Sequence, residues 1–170
     1  MGYTLRIGEL VVEYHQDEDE PRIDLSAKLS RHDDAPAFGE PTDYENQRWP
    51  SYSVWSNFAE DAGLYPLFFG REKGSGQLSR DDALLAQHPG CVPITEAHRR
   101  EVNEAMARWK QKYPKATPTF GKPAPEGEVS GFWSDPDNPE ENGKMTRLVW
   151  LQYWINWALD NCKQPVFENT

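Results

Sequence analysis

Apolar residues recur at helical spacing in the last part of the chain, between positions 144 and 162. This pattern has two neighbouring rows. Members of the first row are three or four residues apart: Leu148, Leu151, Ile155, Leu159 and Cys162. The second row has Trp150 and Trp154, four residues apart, and then Trp157 and Ala158, three and four residues after Trp154. Together they form one broad apolar helix face. Because each tryptophan can bury a large area, this face predicts a central, buried helix over 144–162.

A two-residue period marks the beginning of the chain as strands. The stretch 3–14 offers apolar positions for burial, at Leu5, Ile7, Val11 and Val12. In the next stretch Ile23, Leu25, Ala27 and Leu29 alternate with polar residues. Such alternation is typical of an antiparallel strand with one buried and one solvated face. We therefore predict two or three antiparallel strands over 3–30, with a turn or bulge at Gly8.

Helices and connectors are predicted over 53–113. A short helix begins after the N-cap Ser53 and ends at Gly63, with an inner face of Trp55, Phe58, Ala59 and Ala62. A longer helix follows Thr95, with an inner stripe of Val102, Met106, Trp109 and Tyr113. Between them we expect a short helix over 80–88, with Leu84 and Leu85 inward, and a proline-stiffened connector over 88–94.

Two long stretches show no such period. The segment 31–52 is polar and contains three prolines, and 114–143 is a Pro/Gly-rich connector. Long connections of this kind are commonly functional or mobile. Since neither a repeat nor a shift in composition divides the chain, we predict one domain over 1–170. The fold class is α+β: a small N-terminal antiparallel β-sheet packed against three to four helices, with the Trp-rich C-terminal helix central.

The composition of the chain argues against some classes of function. The chain has a formal net charge of -10 and seven each of Trp, Tyr and Phe. Acidity argues against general DNA or RNA binding, which needs a basic surface, but suits a ligand of a basic protein surface. Two cysteines are too few for a secreted disulfide scaffold, and neither a signal core nor a membrane span is present. A cytoplasmic protein with free thiols is therefore expected.

Several segments, in this order, resemble a family of small, functionally unassigned proteins of bacteriophage and prophage genomes. They are Tyr3–Gly8, Ser51–Phe58, Leu64–Phe69, His88–Thr95 and Leu148–Trp154. The resemblance spans nearly the whole chain. It implies a phage origin and an intracellular accessory role, in the host cytoplasm, and it assigns no catalytic residues.

A metal or cysteine site is the first chemical hypothesis. His88 and Cys91 have a His-x-x-Cys spacing, and His98 and Cys162 complete a set of four zinc ligands. Cys91 is also a candidate nucleophile, with His88 or His98 as its base. The alternative is structural: Cys162 belongs to the core face of the last helix, and His88 lies in a turn. We favour this alternative, and predict no cofactor.

Phosphate and calcium motifs are incomplete. The loop 70–76 is glycine-rich and carries Arg71 and Lys73, which suits contact with an anion, but it lacks the Gly-Lys-Ser/Thr end of a P-loop. The run that begins at Asp135 has Pro139 and Glu140 where a calcium loop needs an oxygen ligand and a glycine. A turn is the better interpretation of that run.

Aromatic residues beside polar loops are the remaining candidates. Trp49, Tyr52 and Trp133 are surrounded by prolines, glycines and charges, so we expect them nearest the surface. Exposed rings suit stacking on bases, sugars or the side chains of a partner. Most of the other rings are expected in the core.

These features favour a non-catalytic, phage-type accessory protein that binds a host component, either a defence protein or a nucleotide signal that it sequesters. Trp49, Tyr52, Arg71, Lys73 and Trp133 are the predicted binding residues. A small metal- or Cys/His-dependent hydrolase and a virion or assembly component are the alternatives. Self-association of the chain stays open.

Overall fold

The structure, a computed structural model, describes residues 1–16, 19–36, 44–119 and 139–170. Its strands are β1 (Leu5–His15), β2 (Arg22–Ala27), β3 (Gln47–Arg48), β4 (Gly90–Pro93) and β5 (Pro165–Asn169). Its helices are α1 (Tyr52–Asp61), α2 (Tyr65–Phe69), α3 (Glu96–Lys112) and α4 (Glu140–Asn161). The predicted α+β class, with antiparallel strands and helices, is confirmed.

The antiparallel sheet is built around β1. One edge of β1 pairs with β5 over Leu5–Glu9, and β5 in turn pairs with β4. The other edge pairs with β3 near its start and with β2 over Leu10–His15. The expected connector over 88–94 therefore contains a strand, and the C-terminal tail lies beside β1 in the middle of the sheet.

Helix α4 is the central buried helix, as predicted. The residues of α4 that are fully buried are Leu148, Trp150, Leu151, Trp154, Ile155 and Ala158. Toward the C-terminal end of the helix, Trp157 and Leu159 are only half-buried, as is the C-cap Cys162. Helix α3 packs along α4 and buries Val102, Met106 and Trp109. No helix in the described ranges combines the length and apolarity of a membrane span.

The ends of α1 follow local backbone rules. Ser51, rather than Ser53, is the N-cap, and its side chain accepts a hydrogen bond from the Val54 N–H. At the other end Gly63 has a φ of 69°, and the main chain of Gly63 and Leu64 donates to Glu60 and Ala59. These two bonds form a Schellman motif, which ends the helix where the sequence predicts.

The expected helix over 80–88 is wrong, although Leu84 and Leu85 are buried as predicted. The main-chain N–H groups of these two leucines donate to Leu67 and Phe68 at 2.9 and 2.8 Å. Because these donors pair with carbonyls of α2, the segment crosses the core as a series of turns. The helix between α1 and this segment is instead α2, over Tyr65–Phe69.

The predicted burial of the second strand is wrong for part of the strand, although Ala27 is buried as predicted. Ile23 and Leu25 are 58% and 48% exposed, and Val12, which lies opposite Leu25, is 38% exposed. By contrast, Leu5 and Ile7 at the start of β1 are fully buried. The position of the exposed residues explains their exposure, because beyond Leu10 the strand β1 has passed the end of β5, and β2 is the one strand beside it among the residues that the structure describes.

Candidate binding surfaces

Four ring residues lie where β1 begins and α1 begins, and we call Tyr3, Trp49, Tyr52 and His88 the aromatic corner. The rings of Tyr3 and Tyr52 meet edge to face with centroids 4.5 Å apart, and the His88 ring lies 5.2 Å from that of Tyr3. Trp49 and Tyr52 are 45% and 38% exposed. The corner therefore presents large aromatic surface to solvent.

The backbone beneath the corner is fixed. The Tyr3 N–H donates to the Pro50 carbonyl at 2.9 Å, and Gly2 forms a bridge with Ser51. This bridge brings the N-terminus against the residues just before α1, so that Trp49 and Tyr52 flank one short, paired segment. A Cβ on Gly2 would lie 2.4 Å from the Pro50 carbonyl oxygen, so the close approach requires glycine.

The His88 ring is oriented by a buried asparagine. Asn169 is fully buried, and its amide nitrogen donates to the carbonyls of Leu84 and Gln87 at 3.1 and 3.0 Å. The Asn169 Oδ1 is therefore an acceptor, and the His88 Nδ1, 2.7 Å away, is its donor. In the neutral ring the lone pair is then on Nε2, which lies 3.5 Å from the Tyr52 hydroxyl.

The corner offers ring edges and faces together with hydrogen-bonding groups. Burial, followed by the charges of Tyr52 and Tyr65, raises the pKa of Tyr3, so its hydroxyl is a neutral donor at physiological pH. Tyrosine, tryptophan and histidine in such an arrangement suit stacking against side chains or planar groups of a partner. The sequence predicted Trp49 and Tyr52 as binding residues but not their neighbours Tyr3 and His88.

The four candidate metal ligands, His88, Cys91, His98 and Cys162, do not come together as one site. The described residues contain no group of three or more His, Cys, Asp or Glu side chains that could hold a metal ion. His88 is bound to Asn169, and Cys162 lies beside Glu9. Burial, then the charge of Glu168, raises the pKa of Cys91 to about 11.

His98 has a structural role that the sequence did not predict. It is fully buried at the start of α3, where its Nδ1 accepts a hydrogen bond from the Thr95 N–H at 3.0 Å. Its Nε2 therefore donates, to the Asp82 carbonyl at 2.8 Å. Thr95 and His98 thus form a capping box, in which both ring nitrogens are occupied.

The predicted anion loop lies at the far end of α1 from Tyr52. Lys73 forms an ion pair with Glu60, in the last turn of α1, and both line a cleft of about 270 Å³ beside Gly63. A second cleft of about 210 Å³ lies on the other side of Gly63, against Arg108 and Lys112. Arg71 is exposed. Lys73 and Tyr52 therefore belong to different surfaces.

Trp55 and Trp150, which the sequence places on the inner faces of helices, are fully buried and belong to the core. Trp133 lies outside the described residues. One surface was missed by the sequence analysis: the exposed strands 11–15 and 22–26, which we call the ribbon. Its apolar residues have an ordinary strand alternation, so the sequence pattern alone assigned them to the core.

Comparisons with known proteins give no match. No protein-family model, curated protein or solved structure is similar to this chain at a significant level. The assignment of a function therefore rests on the surfaces described above.

Proposed function

We propose that this chain is a non-catalytic, phage-type accessory protein that binds a host protein through the aromatic corner. The observation that carries the proposal is the exposure of Trp49 and Tyr52 on a backbone that the pairing of residues 2–3 with 50–51 holds in place. Rings that are exposed and already ordered lose little conformational entropy on binding, which is why aromatic residues are frequent at the centres of interfaces.

A protein partner fits the surface better than a nucleotide. The corner is an exposed ring cluster, whereas pockets for small molecules enclose about 300–1,000 Å³. The two clefts beside Gly63 are smaller than this, at about 210 and 270 Å³. Lys73, which was a candidate phosphate ligand, is paired with Glu60. Among the host components considered, a defence protein is therefore favoured over a nucleotide signal.

Hydrolysis by a cysteine nucleophile is not favoured. Such enzymes lower the pKa of the thiol so that the thiolate attacks at neutral pH. The pKa of Cys91 is raised to about 11, mainly by burial, which keeps the thiol protonated. No feature of the described residues favours a virion component specifically.

The test is capture of a host protein by the purified chain, followed by loss of capture in a corner variant. The intact protein, the double variant Trp49→Ala with Tyr52→Ala, and the control Leu78→Ala are compared by cross-linking in host lysate and mass spectrometry. Leu78 is a suitable control because it is a large apolar residue that is 66% exposed and belongs to neither the aromatic corner nor the ribbon. We expect one partner with the intact protein and the control, and at least a tenfold loss with the double variant.

Two results would reject the proposal. One is the absence of any specific partner of the intact protein. The other is equal capture by the double variant, provided that its circular dichroism and melting temperature match those of the intact protein. Native mass spectrometry of the same samples reports self-association, which would favour the assembly alternative.

A further inference from the structure

The ribbon has an open main-chain edge. In an antiparallel strand, the main-chain groups of successive residues point alternately to the two edges. The Glu9 carbonyl accepts from Lys28 on the β2 side, and the Leu10 N–H donates to Gln164 on the β5 side, at 2.9 Å. Continued along β1, this alternation turns the N–H and C=O groups of Val12 and Tyr14 toward the β5 side. Among the described residues, no strand lies beside them there.

The same residues form an exposed apolar face. Val12 is opposite Leu25 and Tyr14 is opposite Ile23, so the four side chains lie together on one side of the ribbon. All four are exposed, from 38% at Val12 to 68% at Tyr14. Natural edge strands are usually protected by charges, prolines or bulges, and a contiguous apolar patch marks an interaction site. Here an open edge and an apolar face occur at the same place.

The charge of the ribbon indicates the chemistry of its partner. The ribbon itself has two acidic residues and one basic residue, and residues 9–28, which contain both of its strands and the residues between them, carry an excess of five negative charges, half of the formal net charge of the whole chain. The acidic residues in this range are Glu9, Glu13, Asp17, Glu18, Asp19, Glu20 and Asp24, and the basic ones are Arg22 and Lys28. A strand added beside Val12 and Tyr14 would place its own residue opposite Glu13 on the polar face, where a Lys or Arg is favoured.

We propose that the open edge of β1, at Val12 and Tyr14, accepts an extended segment of another protein in which basic and apolar residues alternate. The segment continues the line of β5 along β1 and adds a strand to the sheet. Its apolar side chains cover Val12 and Tyr14, and its basic side chains face Glu13. Main-chain hydrogen bonds supply affinity in such strand addition, and the side chains supply specificity. This surface is distinct from the aromatic corner, so this inference is tested independently of the proposed function.

A second copy of this chain is the less favourable occupant. Pairing two β1 edges would bring together two copies of residues 9–28, each with an excess of five negative charges. Like charges across neighbouring strands are destabilising. A basic segment instead neutralises the ribbon.

The experiment uses the intact protein and two capped synthetic peptides, Lys-Val-Lys-Val-Lys-Val-Lys and its counterpart with Glu in place of Lys. Binding is followed by amide chemical shifts and by the hydrogen exchange of individual amides. We expect the Lys peptide to slow exchange at Val12 and Tyr14 by at least tenfold, with an affinity that falls as salt is added. We expect the Glu peptide to leave the exchange rates of both amides unchanged.

Two variants test the edge and the charge separately. Val12→Pro removes the outward N–H but leaves the β2 hydrogen bonds of residues 11 and 13, since proline is tolerated at sheet edges. This variant should weaken the binding of the Lys peptide at least tenfold, whereas Val12→Thr, which keeps the N–H, should weaken the binding less. Glu13→Lys should reverse the preference between the two peptides without altering the amide spectrum of β5.

The proposal is overturned if the Lys peptide leaves Val12 and Tyr14 unprotected, or if both peptides bind alike. It is also overturned if the protein alone dimerises through these amides, as sedimentation and the concentration dependence of their exchange would reveal. In that case the occupant is a second copy.

Discussion

Glu168 accepts a hydrogen bond from the main-chain N–H of Ala27, with 2.7 Å between the carboxylate Oε2 and the nitrogen. The other carboxylate oxygen lies 2.8 Å from a guanidinium nitrogen of Arg6, and the Glu168 side chain is almost fully buried. One side chain near the C-terminus thus connects β5 with both β1 and β2, across 141 residues of sequence. This connection joins β5 to β2, which are not neighbouring strands in the sheet.

Replacing Glu168 with alanine should therefore be strongly destabilising. The variant leaves a buried N–H without an acceptor and Arg6 without its carboxylate, so we expect a loss of about 3 kcal/mol in the free energy of unfolding, measured by urea denaturation. Asp160→Ala is the control, because its ion pair with Arg99 is exposed and should contribute less than about 0.5 kcal/mol. Equal losses in the two variants would contradict the assigned role of Glu168.

Both cysteines should react slowly, because burial and, after it, a neighbouring carboxylate raise the pKa of each thiol. Burial, then Glu168, raises the pKa of Cys91 to about 11; burial, then Glu9, raises that of Cys162 to about 11. Both thiols are therefore neutral at pH 7, and the rate of alkylation should increase about tenfold per pH unit up to the pKa.

Variants separate the two thiols. The pKa of each thiol is measured by iodoacetamide alkylation in proteins that keep only that cysteine. Glu168→Gln should lower the pKa of Cys91 and leave the pKa of Cys162 unchanged. Glu9→Gln should lower the pKa of Cys162 and leave the pKa of Cys91 unchanged. Fast alkylation of Cys91 at pH 7 in the intact protein would contradict the burial seen here.

Asp82 should contribute a pH-dependent part of the stability. A hydrogen bond from Arg80 holds the pKa of Asp82 below its ordinary value of 3.8. Arg80 also contacts Glu101 at 2.8 Å, and the buried His98 ring faces the Asp82 carboxylate at 3.3 Å. Because the folded state favours the ionised carboxylate, this contribution is complete well above pH 3.8 and is lost as the pH falls through the lowered pKa.

The variant Asp82→Asn tests this contribution. The difference in unfolding free energy between the intact protein and Asp82→Asn should be constant near neutral pH and should shrink below about pH 4. The magnitude should be modest, since the Asp82 side chain is partly exposed. Arg80→Met should remove the same pH dependence, and a double variant should lose no more of it. A difference that grows on acidification would refute the assignment.

The three longer helices, α1, α3 and α4, were predictable because their signals are local. The spacing of Trp150, Trp154 and Ala158 lies within one segment, and so does the stripe of Val102 and Met106 in α3. The strands β4 and β5 gave no comparable signal. Each has five residues or fewer, and Cys91 finds its partner Glu168 only in the folded chain. Non-local pairing of this kind leaves no period in the sequence.

The candidate surfaces were predictable only in part. Trp49 and Tyr52 stand out by their proline-rich and polar surroundings, which is why the sequence identified them. His88 joins them through Tyr52, 36 residues away, and through Asn169, whose burial the sequence does not signal. The sequence also made His98 a candidate metal ligand. The spacing of histidines along the chain does not show which carbonyl or N–H each ring contacts after folding, so its structural role could not be predicted.

A matched pair of isoleucines tests whether the ribbon lies outside the core. Ile7 is fully buried and Ile23 is 58% exposed, although both lie at apolar positions of alternating strands. Truncation of a buried isoleucine leaves a cavity, so Ile7→Ala should lower the free energy of unfolding by about 2–5 kcal/mol. Ile23→Ala should change it by less than about 0.5 kcal/mol, because little burial is lost. Urea denaturation measures both, and a loss above about 2 kcal/mol for Ile23→Ala would mean that the ribbon is part of the core, which would remove the surface proposed to bind a basic segment.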